Sequence, residues 1–141
     1  MAFKRGMPDP SAEIQQYKIL IVEDVSGVLD VLEEKFAQGG FEVYRARDGE
    51  EGLDQALDCL PDVVLSDILM PRMDGIEMAK RLLAQKATGS CPIVFLSVLS
   101  EQEYGEALRG LDGKYHFLWK NECSLEDVVA KVSEVLASGK L

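Results

Sequence analysis

The sequence predicts an α/β protein: a doubly wound (βα)5 domain around a parallel five-stranded sheet. Three observations lead to this expectation. Five short β-type runs alternate with longer segments whose apolar residues recur at helical spacing. Three of the runs are almost unbroken Val, Ile and Leu, as strands buried on both faces must be. Four of the longer segments open on a capping residue three positions ahead of an acid, a helix-start signal.

Residues 1–16 contain Gly6, Pro8 and Pro10 with charges of both signs and no periodicity, and are expected to form an N-terminal tail. The domain is expected over residues 17–137, with 138–141 as a short C-terminal tail. The first strand is expected at Lys18–Val22, and Gly39-Gly40 stops the helix that follows. The second, Phe41–Ala46, alternates apolar and polar residues and so belongs at a sheet edge. Asp48 with Glu51 opens the next helix, Asp62–Ser66 is the third strand, and Asp74 with Glu77 opens the helix after it. Pro92–Ser97 is the fourth strand, followed by a helix opened by Ser100 with Glu103 and stopped by Gly110. Tyr115–Trp119 is the fifth. Ser124 with Asp127 then opens a last helix whose Leu125, Val128, Val129, Val132, Val135 and Leu136 form one apolar face. Strand order 2-1-3-4-5 places the alternating run at an edge and the continuous runs at the centre.

Composition removes several function classes. Twenty-five acids against fifteen Lys plus Arg give a net charge of −10, which disfavours nucleic acid and anionic membranes as direct ligands. The longest strictly apolar runs, Ile19–Val22 and Ile93–Leu96, are far too short for a spanning helix or a signal-peptide core, so the cytoplasm is the expected location. Cys59, Cys91 and Cys123 form no C-x-x-C pair and are expected to be reduced, mostly buried thiols. The single histidine, His116, excludes any site needing two imidazoles; its apolar surroundings suit a structural or surface role.

In a sheet of this order, ligands bind beyond the carboxyl ends of the strands, where the order reverses between strands one and three. Glu23-Asp24 end the first strand and Asp67 ends the third, so three carboxylates should converge there. Like charges together need a counter-ion, and hard oxygen donors with room for water suit Mg²⁺. Ser97 ends the fourth strand and Lys120 follows the fifth, bringing a hydroxyl and an ammonium to the same rim. Metal, acceptor carboxylate, hydrogen-bond donor and cation together describe a site for phosphoryl chemistry.

These residues, with the string Asp67-Ile68-Leu69-Met70-Pro71-Arg72-Met73-Asp74-Gly75, resemble the D-x-x-M-P-x-M-D-G pattern of response-regulator receiver domains of two-component signalling, which are flavodoxin-like. The resemblance spans about residues 17–137. It implies that Asp67 is a phosphoacceptor supplied by a histidine kinase, a phosphotransfer protein or a small donor. It also implies that Asp24, Asp67 and the Leu69 backbone carbonyl bind Mg²⁺ directly and Glu23 through water, and that Ser97 and Lys120 stabilise the phosphoryl group. Ser97 and Phe117 would form the switch, while Leu69 and Val98 would tune access. Output would pass to a partner protein through the fourth helix, fifth strand and fifth helix, with Tyr104, Phe117 and Glu101–Leu111 as candidates, in a monomer or weak homodimer. The protein would catalyse only its own phosphorylation and dephosphorylation.

Three features depart from the family pattern. Asn121 follows Lys120 where proline is usual, so a trans peptide is expected and Lys120 would be displaced. Gly110–Lys120 is longer than the usual spacing. Val98 follows Ser97 where Ala or Gly is preferred, which would narrow access to Asp67. An unphosphorylated pseudo-receiver that acts as an interaction module is the alternative reading. A haloacid-dehalogenase-type phosphatase would need an acid where Leu69 stands, and a flavodoxin-type phosphate cradle would not carry Glu23-Asp24.

Overall fold

Successive side chains of each strand point to opposite faces of the sheet, and this alternation sorts the apolar residues into two cores. In the computed structural model, which describes residues 16–138, the strands are β1 (Lys18–Val22), β2 (Glu42–Ala46), β3 (Val63–Ser66), β4 (Ile93–Ser97) and β5 (His116–Trp119). The helices are α1 (Ser26–Gln38), α2 (Gly49–Cys59), α3 (Gly75–Ala84), α4 (Glu101–Arg109) and α5 (Leu125–Ser138), with a 3₁₀ turn at Lys120–Glu122. Leu20, Val22, Val64, Ile93 and Phe95 face α2, α3 and α4, where Ala56, Ile76, Met78, Leu82 and Leu108 complete the first core. Ile19, Ile21, Val63, Leu65, Val94 and Leu96 face α1 and α5, where Leu29, Phe36, Val128, Val132 and Val135 complete the second.

All strand pairs are parallel, and the order is β2-β1-β3-β4-β5, the doubly wound flavodoxin-like arrangement that the apolar runs predict. β1, β3 and β4 are buried almost throughout, whereas β2 is half-buried at one edge. β5 is half-buried along its whole length because it forms the other edge. Four strands start one residue later than expected, since Phe41, Asp62, Pro92 and Tyr115 lie just before the ladder. Leu125 also departs from expectation: as the first residue of α5 it lies exposed, before the helix has turned onto the sheet, while Val128, Val132, Val135 and Leu136 are buried. The expected tail at residues 1–16 lies outside the described residues except for Gln16, as do residues 139–141 of the short end; Ser138 is the last residue of α5.

The capping side chains act as their spacing indicates. Asp48 accepts from the Glu51 N–H at 2.9 Å and Asp74 from the Glu77 N–H at 2.8 Å. Ser124 and Asp127 cap reciprocally, side chain to backbone N–H, at 3.1 and 2.9 Å. The Glu103 carboxylate accepts from the Ser100 N–H at 2.7 Å. Caps of this kind contribute about 1 kcal/mol each.

The loop after β3 is braced from two sides. Buried Asp48 pairs with Arg72, and the Gly49 N–H donates to the Met73 carbonyl at 3.0 Å, tying this loop to the start of α2. The Glu51 N–H and the Arg72 guanidinium hold the Asp48 carboxyl below its ordinary range. Gly75 donates its N–H to the Ile68 carbonyl at 2.8 Å, and a Cβ at Gly75 would lie 2.1 Å from the Asp67 carbonyl oxygen. The obstacle is backbone, which cannot swing aside like a side-chain tip, so α3 starts this close to Asp67 only with glycine there. Gly75→Ala is therefore expected to cost about 1–3 kcal/mol. Urea unfolding would read this as a lower midpoint at unchanged slope; an unaltered midpoint would show that the loop can yield.

Candidate functional site

The ladder between β1 and β3 sets the site. Val22 pairs with Ser66, so the next residues on both strands emerge side by side. The Asp67 N–H donates to the Val22 carbonyl at 2.9 Å and the Glu23 N–H to the Ala46 carbonyl at 3.0 Å, which anchors both backbones to the sheet. One carboxylate oxygen from each of Glu23, Asp24 and Asp67 lies within 4.8 Å of the other two. Glu23 is buried, Asp24 exposed and Asp67 intermediate.

Lys120 enters this cluster from the end of β5. Its Nζ donates to Glu23 Oε1 at 3.0 Å and stands 3.9 Å from Asp67 Oδ2. Glu23 Oε2 accepts from the Val25 N–H at 3.1 Å, and Asp67 Oδ1 from the Ile68 N–H at 2.7 Å. Asp67 Oδ2 is thus the oxygen left facing the cation. Burial is the largest influence on Asp67 and raises its carboxyl to about 6; Lys120 and the Ile68 N–H oppose the rise, while Glu23 and Asp24 add to it. Three carboxylates against one ammonium leave the cluster short of positive charge, and an all-oxygen donor set of this kind fits a hard divalent cation such as Mg²⁺.

The structure therefore brings Glu23, Asp24, Asp67 and Lys120 together, and the substitution at Asn121 has not displaced the lysine from the site. No peptide bond among the described residues is cis. Lys120 and Asn121 instead begin the 3₁₀ turn, and the longer approach from Gly110 is taken up by tight turns through Asp112 and Gly113, both at positive φ. Leu69 and Val98 are about half exposed on the loops that follow Asp67 and Ser97. Phe117 is half-buried in the first core, its ring centroid 6.3 Å from that of Tyr104.

Ser97 has other partners. It is 0% exposed, its hydroxyl lies 2.8 Å from the Tyr104 hydroxyl, and it accepts from the Leu99 N–H at 3.3 Å. The sequence places Tyr104 on an outward surface and gives no sign of this bond, which depends on how the first turns of α4 fold back over the end of β4. Trp119 was also missed: its Nε1 donates to the Val98 carbonyl at 2.9 Å, tying β5 to the same loop. His116 is half-buried on β5, where burial lowers its pKa, and does not belong to the cluster. The three cysteines are free, with Cys59 buried and Cys91 and Cys123 partly so.

Comparison with known proteins agrees with this fold. The family model for the response regulator receiver domain matches residues 19–133. The alkaline phosphatase synthesis transcriptional regulatory protein PhoP of Bacillus subtilis is 33% identical over 125 residues, which cover 88% of this chain and 50% of that protein. The response regulator PleD of Caulobacter vibrioides is 35% identical over 104 residues, 73% of this chain and 22% of its own length. The chain thus spans half or less of the length of these two relatives. Among solved structures, a putative response regulator from Chloroflexus aurantiacus is 31% identical with a TM-score of 0.77, covering 87% of this chain and 99% of its own. The CheX-CheY-BeF3-Mg+2 complex from Borrelia burgdorferi contains a chain 28% identical with a TM-score of 0.72, covering 84% of this chain and 88% of its own.

The raised Asp67 carboxyl has a consequence for stability in protein freed of divalent cations. The folded chain holds the Asp67 proton up to about pH 6, whereas the unfolded chain releases it near the ordinary value of 3.8. Stability contributed by this group is therefore complete below the unfolded value and falls as pH rises through the folded one. After allowance for solvent screening at its exposed edge, the loss is on the order of 1–2 kcal/mol. Asp67→Asn should exceed wild type by that amount near neutral pH, with the gap closing toward pH 4. Denaturant melts in chelator across that range would measure it; a gap independent of pH would contradict the assignment.

Proposed function

The chain belongs to the response regulator receiver domain family, and on that premise we propose that it is the phosphoacceptor receiver of a two-component phosphorelay, with Asp67 as acceptor. Members of the family are signalling domains rather than classical enzymes. The observation that best supports the proposed role is the environment of Asp67: Oδ2 faces Lys120 inside the three-carboxylate cluster, while Oδ1 is fixed by the Ile68 N–H.

In this reading Asp67 Oδ2 attacks phosphorus, the bond from phosphorus to the donor nitrogen or oxygen breaks, and an acyl phosphate forms as the donor group leaves. The ionised Asp67 carboxylate supplies the attacking lone pair. Lys120, now 3.0 Å from Glu23, exchanges that partner for an incoming phosphoryl oxygen and neutralises its charge. Mg²⁺, which Asp24, Asp67 and the Leu69 carbonyl would hold directly and Glu23 through water, supplies the further positive charge that two approaching anions require. Ser97 donates its hydroxyl to the phosphoryl group, and Phe117 repacks as the loop after β4 adjusts. Leu69 and Val98, both about half exposed, would limit the approach of water and donor.

The donor would be a histidine kinase or phosphotransfer protein, and the output a protein that recognises the face formed by α4, β5 and α5, with the chain acting in the cytoplasm as a monomer or weak homodimer. The solved Borrelia complex, which contains BeF3 and Mg, supports the same chemistry here. Among the described residues no helix is long and apolar enough to cross a membrane.

Incubation with a small phosphodonor and Mg²⁺, read by intact mass, should add one phosphoryl group to wild type and none to Asp67→Asn or to wild type in chelator. Lys120→Gln should slow the addition by roughly 10²-fold, as loss of an oxyanion-stabilising group does elsewhere. A folded wild type that is never modified would favour the unphosphorylated interaction module. Val98→Ala should shorten the life of the acyl phosphate by opening the approach of water, and an unchanged decay rate would remove Val98 from the account.

A further inference from the structure

The Ser97 hydroxyl carries one proton and two lone pairs. Leu99 occupies one lone pair with its N–H at 3.3 Å. Ser97 is sealed from solvent, and no buried side-chain nitrogen or oxygen among the described residues lacks a partner. The Tyr104 hydroxyl stands at 2.8 Å from the Ser97 oxygen, and either hydroxyl can supply the proton of this bond. We propose that Tyr104 is a positioning residue that holds the Ser97 hydroxyl in the unphosphorylated protein, so that Ser97 reaches a phosphoryl group on Asp67 only by giving up this partner. The inference rests on the phosphoacceptor role of Asp67 and adds a residue that competes with it.

The surroundings of Tyr104 suit this task. It lies on α4, which starts four residues beyond Ser97, so its bond to Ser97 closes the loop between β4 and the helix. Burial raises the phenol above its ordinary range and the Asp67 charge adds to the rise, so it stays protonated under ordinary conditions. Its ring is tilted against Phe117, and the same loop is held from β5 by the Trp119 bond to the Val98 carbonyl. Exchange of Tyr104 for a phosphoryl oxygen as the partner of Ser97 makes and breaks no covalent bond: each hydroxyl keeps its proton, and the Tyr104 oxygen turns to solvent. The exchange removes the side-chain bond that ties Tyr104 of α4 to the end of β4.

The test uses the full chain with Mg²⁺ and beryllium fluoride as probe, followed by the fluorescence of Trp119, the single tryptophan. If Tyr104 competes for Ser97, Tyr104→Phe binds the probe roughly three- to ten-fold tighter than wild type, the worth of one neutral hydrogen bond. The same substitution in a Ser97→Ala background has no effect, because the competed group is gone. Equal or weaker binding by Tyr104→Phe, or an effect that persists without the serine hydroxyl, overturns the proposal. In resting protein without probe, exchange of the Leu99 amide should quicken in Tyr104→Phe, since that N–H donates to the oxygen Tyr104 holds. Should wild type fail to bind the probe at all, the phosphoacceptor reading falls, and an unchanged Leu99 exchange rate would then remove the Tyr104 role as well.

Discussion

Three carboxylates held within 4.8 Å of one another, with one ammonium among them, are the constraint on which the rest of this structure depends. Such a cluster repels itself and resists burial, so it exists only where backbone geometry leaves no alternative. The ladder between β1 and β3 supplies that geometry, since the N–H groups of Glu23 and Asp67 are bonded to neighbouring strands before their side chains diverge. The Asp48–Arg72 pair and the contact of Gly75 with the Asp67 carbonyl stop the following loop from relaxing away. The energetic conflict at the centre is thus offset by rigid packing around it.

The parts of this arrangement that were legible in the sequence are those fixed by periodicity and chain direction. Unbroken apolar runs identified β1, β3 and β4 because both faces of a central parallel strand are covered, and the residue after each run had to emerge at the same rim. Asp48, Asp74 and Ser124 were legible as caps because the bond spans only three residues and needs no tertiary partner. Leu125 was misjudged because apolar spacing does not show where a helix first meets the sheet.

Contacts that depend on the path of a loop were not legible. Lys120 was legible as a member of the rim, but its route was not: a 3₁₀ turn at Lys120–Glu122 presents the ammonium to Glu23. The bonds from Tyr104 to Ser97 and from Trp119 to Val98 join residues seven and twenty-one positions apart through side chains whose directions no local pattern specifies. Both meet at the end of β4 and the loop after it, where aromatic side chains add to the local bonds of Leu99 and Ser100.

The division of the interior into two cores carries a mechanical meaning. Phe117, Tyr104, Ile68 and Met73 all belong to the core beneath α2, α3 and α4, whereas Leu118, the next residue along β5, belongs to the one beneath α1 and α5. The sheet backbone stands between them as a stiff partition one strand thick. β5 is the element that serves both sides, with Phe117 turned to the first core and Leu118 to the second. A partner seated on α1 would therefore lie over the second core, one seated on α4 over the first, and one that spans α4 and α5 would straddle the sheet edge at β5, where the two cores meet.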